Sequence, residues 1–166
     1  EKVFDLLAQA WNIVCRKHND WHLQLYGGGD KTSLYKLILQ LNITDSFQIN
    51  EATTDILKKY TESSICILSS RFEGFGMSIA EAMSCGIPVV SFNCPCGPRY
   101  IIRDGEDGIL VENGNVEKLA DKICYLIENE HRRKEMGRKA RINIKRFETE
   151  QIMSQWIKLF EELLRI

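Results

Sequence analysis

The chain has 166 residues, enough for one domain with a substantial core and too few for two large ones. At 44% hydrophobic content it is not a disordered chain, and 22 basic against 23 acidic residues leave a net charge of -1, which excludes a global attraction to nucleic acid or anionic lipid. No apolar run reaches the roughly 18 residues that a membrane-spanning helix needs.

In chain order, Phe4, Leu7, Ala8, Trp11, Val14 and Cys15 recur at helical spacing, and Asn19-Asp20 ends that segment. Leu23 to Tyr26 alternates like a strand and stops at Gly27-Gly28-Gly29. A short helix is predicted over Leu34–Leu41, a strand within Ile43–Ile49, and a helix over Ile56–Tyr60 capped by Thr53 or Thr54. The apolar run bounded by Ser64 and Ser69 suits a buried parallel strand. A helix over Ser78–Ser84 ends at Gly86 and Pro88, and Val89–Phe92 is the next strand. Ile109–Val111 follows a glycine-rich turn, Asn115 caps the next helix, and helices fill the remainder with a break near Asn143–Glu148. Ile152, Trp156, Leu159, Phe160 and Leu163 line one face of the last helix.

Strand and helix therefore alternate about five times. This predicts an α/β domain: a Rossmann-like open parallel sheet with helices on both faces. Ligands on such sheets bind outside the carboxyl ends of the strands. The loop from Arg71 to Met77 leaves one such end, so the site search starts there.

Gly74 and Gly76 permit backbone angles closed to other residues and allow close approach to a ligand. The helix that starts at Met77 or Ser78 has free N–H groups that can hold a phosphate or hydroxyl oxygen. Glu73 and Glu81 flank that helix start. Two carboxylates would repel a phosphate, but they suit hydroxyl groups on either side of it. A nucleotide sugar offers ribose diol, diphosphate and sugar in a row, which matches acid, amides, acid. The plainer alternative makes Glu81 an ordinary first-turn acid and Glu73 a solvated side chain.

Six cysteines are scattered, as suits buried thiols in a reducing compartment. Cys94-Pro95-Cys96 has the wrong spacing for a zinc knuckle, and no metal site is expected. His18, His22 and His131 read as surface residues. The basic run from Arg132 to Arg146 is interrupted by Glu135 and hides Met136 and Ala140, so it reads as a solvated helix face and not as a nucleic-acid site.

The segment from Glu73 to Val90 resembles the E-x7-E motif of retaining glycosyltransferases of the GT-B fold, family 4. Cys94-Pro95-Cys96-Gly97-Pro98, the stretch Ile101 to Val111, Phe4–Trp11 and Leu25–Gly29 are similar to other segments of that family, in the same order. The resemblance covers essentially the whole chain. It implies that residues 1–166 are the C-terminal nucleotide-sugar-binding domain of a two-domain GT-B enzyme, without its first strand. Residues 148–166 would return towards an N-terminal acceptor-binding domain.

By the same resemblance Glu81 holds the ribose hydroxyls and Glu73 contacts the transferred sugar. Gly74, Phe75, Gly76, Met77 and Ser78 form the loop that holds sugar and distal phosphate, and Gly28 lies in the first glycine turn of the donor site. Lys2 occupies the place of a diphosphate-binding lysine and, with Glu73, would carry the catalytic role; the glycine usual after it is Val3 here. Asn50 stands where the family often has a base-loop glycine, and Arg99 and Tyr100 replace small or polar residues. Arg99 is a candidate for the phosphate or the acceptor.

The implied reaction transfers a sugar from a UDP-, GDP- or ADP-linked donor to a hydroxyl, with retention and with no cofactor or metal. The implied setting is cell-surface polysaccharide synthesis in the cytoplasm, at the membrane face through the N-terminal domain. The fragment by itself would be inactive. A noncatalytic nucleotide-sugar-binding module and a GT-B sugar-nucleotide epimerase are the alternatives.

Overall fold

The computed structural model describes residues 3–164. Helices and strands alternate as α1 (Phe4–Lys17), β1 (Leu23–Tyr26), α2 (Thr32–Leu41), β2 (Phe47–Asn50), α3 (Ile56–Thr61), β3 (Cys66–Leu68), α4 (Met77–Ser84) and β4 (Val89–Phe92). They continue as α5 (Pro98–Ile101), β5 (Gly108–Val111), α6 (Val116–Glu128), α7 (Glu130–Asn143), a 3-10 turn (Ile144–Phe147) and α8 (Thr149–Leu164).

The expected α/β class holds, and every strand pairing among the described residues is parallel. The strands form two ladders. β1 pairs with β2, Leu23 opposite Phe47, and β4 lies between β3 and β5, Val89 opposite Cys66 on one side and Gly108 on the other. β4 is buried at all four positions, as its continuous apolar run requires.

Because strand side chains alternate faces, β4 serves two cores. Val90 and Phe92 pack with Trp11, Leu119 and Ile123 in one core, whereas Val89 packs with Ile79, Met83 and Ile101 in the other. Helices therefore cover both faces of this ladder.

β1 and β3 do not pair with each other. They flank a cavity of about 330 Å³ that is also lined by Trp11, Tyr60 and Ile123. Paired strands sit about 4.8 Å apart, so a cavity of this size keeps the two ladders from joining into one sheet.

Local signals explain most boundaries. The Asn115 side chain accepts the Lys118 N–H at 3.0 Å and starts α6 as expected. The break after Asn143 is the 3-10 turn. Neither Thr53 nor Thr54 caps α3; Asp55 precedes the helix, and the Thr53 hydroxyl accepts the Asp55 N–H at 3.1 Å. That bond closes a local turn ahead of the helix and leaves the first helical N–H groups uncapped. α5 carries no sequence prediction, being only four residues long and opened by Pro98 at its first position.

α7 buries Met136, Gly137 and Ala140, while its charged side pairs Arg132 and Lys139 with Glu135 and Lys134 with Glu130. His18 is not an isolated surface residue, since its Nε2 meets Glu128 Oε1 at 3.0 Å and ties α1 to α6. α8 has no buried residue, and its Trp156, Ile157, Phe160 and Leu163 are exposed. Among the described residues no helix is long and apolar enough to cross a membrane.

Candidate functional site

Glu73 lies in the loop between β3 and α4, at the carboxyl end of its ladder. Three contacts fix this loop. Glu73 forms an isolated parallel bridge with Cys96, in the segment after β4. The Gly97 N–H donates to the Gly74 carbonyl at 3.0 Å. The approach at Gly97 is so close that an added Cβ would lie 2.5 Å from the Phe75 carbonyl oxygen.

The Phe75 ring meets the edge of Phe147 at 5.3 Å and 80°. Phe147 in turn lies under the Arg146 guanidinium, 4.7 Å from the ring centroid, and Arg146 donates to the carbonyl of Ile101 at the end of α5. The loop is thus held by α5 and by the 3-10 turn, which lie far ahead of it in sequence.

Gly76 turns the chain into α4 with φ +94°, a left-handed conformation that favours glycine. Its carbonyl accepts the N–H groups of Ile79 and Ala80. The N–H groups of Phe75, Gly76, Met77 and Ser78 bond to no acceptor among the described residues. They form a cluster of donors at the positive end of the helix dipole, beside the exposed side chains of Phe75 and Met77.

The two acids are held alike. Glu73 Oε1 accepts the Ser70 hydroxyl at 2.6 Å, and Glu81 Oε2, on α4, accepts the Tyr60 hydroxyl at 3.4 Å. Both acids are half-buried, and neither forms an ion pair among the described residues. Burial, aided by Cys66 and the Glu81 charge, pushes the Tyr60 phenol well above its ordinary range, so it remains a proton donor. Burial, followed by the Glu73 charge, also pushes the Cys94 thiol up.

The other expected site residues are more dispersed. Gly28 follows β1, on the ladder across the cavity, with open space where a side chain would be. Nearby, Lys31 Nζ donates to the carbonyls of Gly27 and Asn50 and ties the ends of β1 and β2. The Asn50 Nδ2 is buried with no partner among the described residues. Arg99 is exposed on α5 and donates to the Asn93 carbonyl at 3.4 Å. Lys2 lies outside the described residues. Sequence reasoning missed Ser70 and Tyr60. Ser70 had a signal, its Ser-x-x-Glu spacing to Glu73, but no helix follows to make that a capping box.

An open parallel α/β domain with a glycine loop and helix start at a strand's carboxyl end, flanked by acids, is of the GT-B glycosyltransferase type. Residues 1–143 match the family described as glycosyl transferases group 1, and the chain belongs to that family. It is similar to the poly(ribitol-phosphate) alpha-N-acetylglucosaminyltransferase of Staphylococcus aureus (strain COL), with 35% identity over 161 residues, 96% of this chain and 33% of that protein. The crystal structure of S. aureus TarM in complex with fondaparinux, alpha-GlcNAc-glycerol and UDP superimposes with a TM-score of 0.90, at 35% identity, covering 96% of this chain and 33% of that one. The pneumococcal O-GlcNAc transferase GtfA, solved with UDP and GlcNAc, gives a TM-score of 0.84 at 26% identity, covering 99% and 34%. The chain thus spans about a third of the length of these relatives.

Proposed function

We propose that this chain is the sugar-nucleotide-binding part of a retaining glycosyltransferase, with a UDP-sugar as donor and a hydroxyl as acceptor. The observation that carries the reading is the cluster of free N–H groups at the start of α4, flanked by Glu73 and Glu81 without cationic partners. The amides accept the distal phosphate. Glu81 takes the ribose hydroxyls and Glu73 the hydroxyls of the sugar.

The diphosphate gains negative charge as its bond to the anomeric carbon breaks. Fixed N–H groups bind that developing charge more strongly than the ground state and so lower the barrier. Lys2 is assigned to the same phosphate. Glu73 orients the sugar and is not assigned as a nucleophile.

UDP is favoured as the nucleotide because TarM and GtfA, both similar to this chain, were solved with it. N-acetylglucosamine is the first sugar to test, since both the relative in S. aureus and GtfA carry it in their names. The cavity between β1 and β3 supports the reading that one more parallel strand completes the sheet in the whole protein. The exposed apolar face of α8 supports contact with an acceptor-binding domain. These 166 residues alone would then bind donor without transferring sugar.

Calorimetric titration of the intact protein with UDP-, GDP- and ADP-sugars tests this. One donor class should bind clearly best. Glu81→Ala should weaken it by about tenfold to a hundredfold, the range for hydrogen bonds to a charged group. Equal, weak binding of all donors, indifferent to Glu81, would sink the proposal and favour a module that keeps only the fold.

A further inference from the structure

We propose that Ser70 and Tyr60 are a matched pair of positioning residues, each orienting one acid so that the two acids read separate parts of the donor. This rests on the donor-binding role given above. The Ser70 hydroxyl holds Glu73 Oε1 at 2.6 Å and the Tyr60 hydroxyl holds Glu81 Oε2 at 3.4 Å. In each case a single neutral O–H occupies one carboxylate oxygen and the other has no partner among the described residues.

The choice of a neutral partner has a consequence. An arginine or lysine would fix the carboxylate and also neutralise it, often through both oxygens. A hydroxyl restricts the rotamer and leaves the charge and one oxygen for a ligand. A ligand matched to such an oxygen is rich in O–H donors, as ribose and hexose are.

The two braces are rigid for different reasons. Ser70 is 1% exposed, so its hydroxyl cannot turn to water. Tyr60 is carried on α3 and packs against the core that contains Ile79 and Met83, on the helix that carries Glu81. Ser70 precedes Glu73 in the loop itself, whereas Tyr60 reaches Glu81 from a separate helix. The two acids are therefore oriented independently, and loss of one brace should not disturb the other.

The test is a cross of two variants against three ligands in the intact protein. Tyr60→Phe removes only the phenolic oxygen and keeps the ring packing. It should weaken UDP and UDP-N-acetylglucosamine by the same factor, about fivefold to tenfold. It should have no further effect on 2′,3′-dideoxy-UDP, which lacks the hydroxyls that Glu81 would bind. Ser70→Ala should leave UDP binding unchanged and weaken only the UDP-sugar, again about tenfold. A merely structural role would lower all three affinities together in either variant, and that result overturns the proposal. If Glu81→Ala loses UDP while Tyr60→Phe does not, the positioning role falls and the donor site stands. If the wild type binds no sugar nucleotide and Glu81→Ala changes nothing, both fall.

Discussion

Gly97→Ala probes how the donor loop is held. A Cβ at this position would sit 2.5 Å from the Phe75 carbonyl oxygen, 3.0 Å from its carbonyl carbon and 3.1 Å from Glu73 Cβ. Ordinary contact begins at 3.4 Å, so the Phe75 peptide and the segment after β4 must separate by about 0.9 Å. That shift moves the donors assigned to the phosphate, because the same peptide link carries the Gly76 N–H. Sites of this kind tolerate errors of about 0.5 Å, and a misplacement near 1 Å costs about a hundredfold in rate. The overpacking itself costs about 1–3 kcal/mol of stability, or a Tm lower by about 2–10 °C in a chain of this size. Gly137→Ala separates the two effects. Its Cβ would fall 2.1 Å from the Gly86 carbonyl oxygen, where α7 packs beyond the far end of α4. It should lower Tm at least as much while leaving donor affinity within about twofold. The assay is UDP-sugar titration and initial rate on the intact protein, well below both melting points, beside thermal melts. A Gly97→Ala variant with wild-type affinity and rate refutes the reasoning. So does a loss no larger than that of Gly137→Ala.

Other changes test the remaining supports. Phe147→Ala removes the edge-on contact with Phe75, worth about 0.5–1.5 kcal/mol, and should raise the UDP-sugar Kd about twofold to tenfold in the same titration. Leu119→Ala, at a fully buried position in the core under β4, should cost about 2–5 kcal/mol in urea unfolding without altering the donor's relative preference. Asp107 gives a pH dependence. Burial raises its carboxyl above the ordinary 3.8, so the folded chain holds this proton after the unfolded chain has lost it. Its contribution to stability therefore falls as pH rises from about 3.8 through the raised folded value. The difference in Tm between Asp107→Asn and wild type should move in favour of the variant from acid to neutral pH. A difference that stays flat, or moves the other way, removes Asp107 as the cause.

What was legible in the sequence was local. Val89 to Phe92 read as a buried strand because four apolar residues follow Pro88, and Asn115 read as a cap because its oxygen needs to reach only three residues ahead. The glycine loop and both acids lie within one short stretch, so their placement at a strand end followed from the alternation of elements. What was not legible depended on distant partners. Tyr60 lies 21 residues from Glu81, and nothing in its own segment marks it as more than a helix residue. Phe147 reaches Phe75 from the far end of the chain. The division into two ladders is a matter of which edges pair, and hydrophobic pattern alone does not determine pairing. The α3 start was misread because Thr53 makes its bond before the helix begins, a competition between local turns that composition does not resolve.

The charges around the loop follow one logic that links these pieces. Arg71 stands two residues before Glu73, and a sequence reading would readily pair them. The structure keeps Arg71 exposed, with its carbonyl bonded to the Asn113 side chain, and gives Glu73 a serine instead. Glu81 has lysines on the helix that supplies Tyr60, yet Lys59 is committed to Glu62 at 2.9 Å. A half-buried carboxylate without a cation is unfavourable in the free protein. That cost is offset when a ligand brings its own hydrogen-bond donors, and it is not offset by a second anion. The free amides between the acids supply the place for the anion. The arrangement therefore selects a molecule with an anionic middle and hydroxylated ends, independently of the family match. The Ser70 and Tyr60 variants measure the two ends separately.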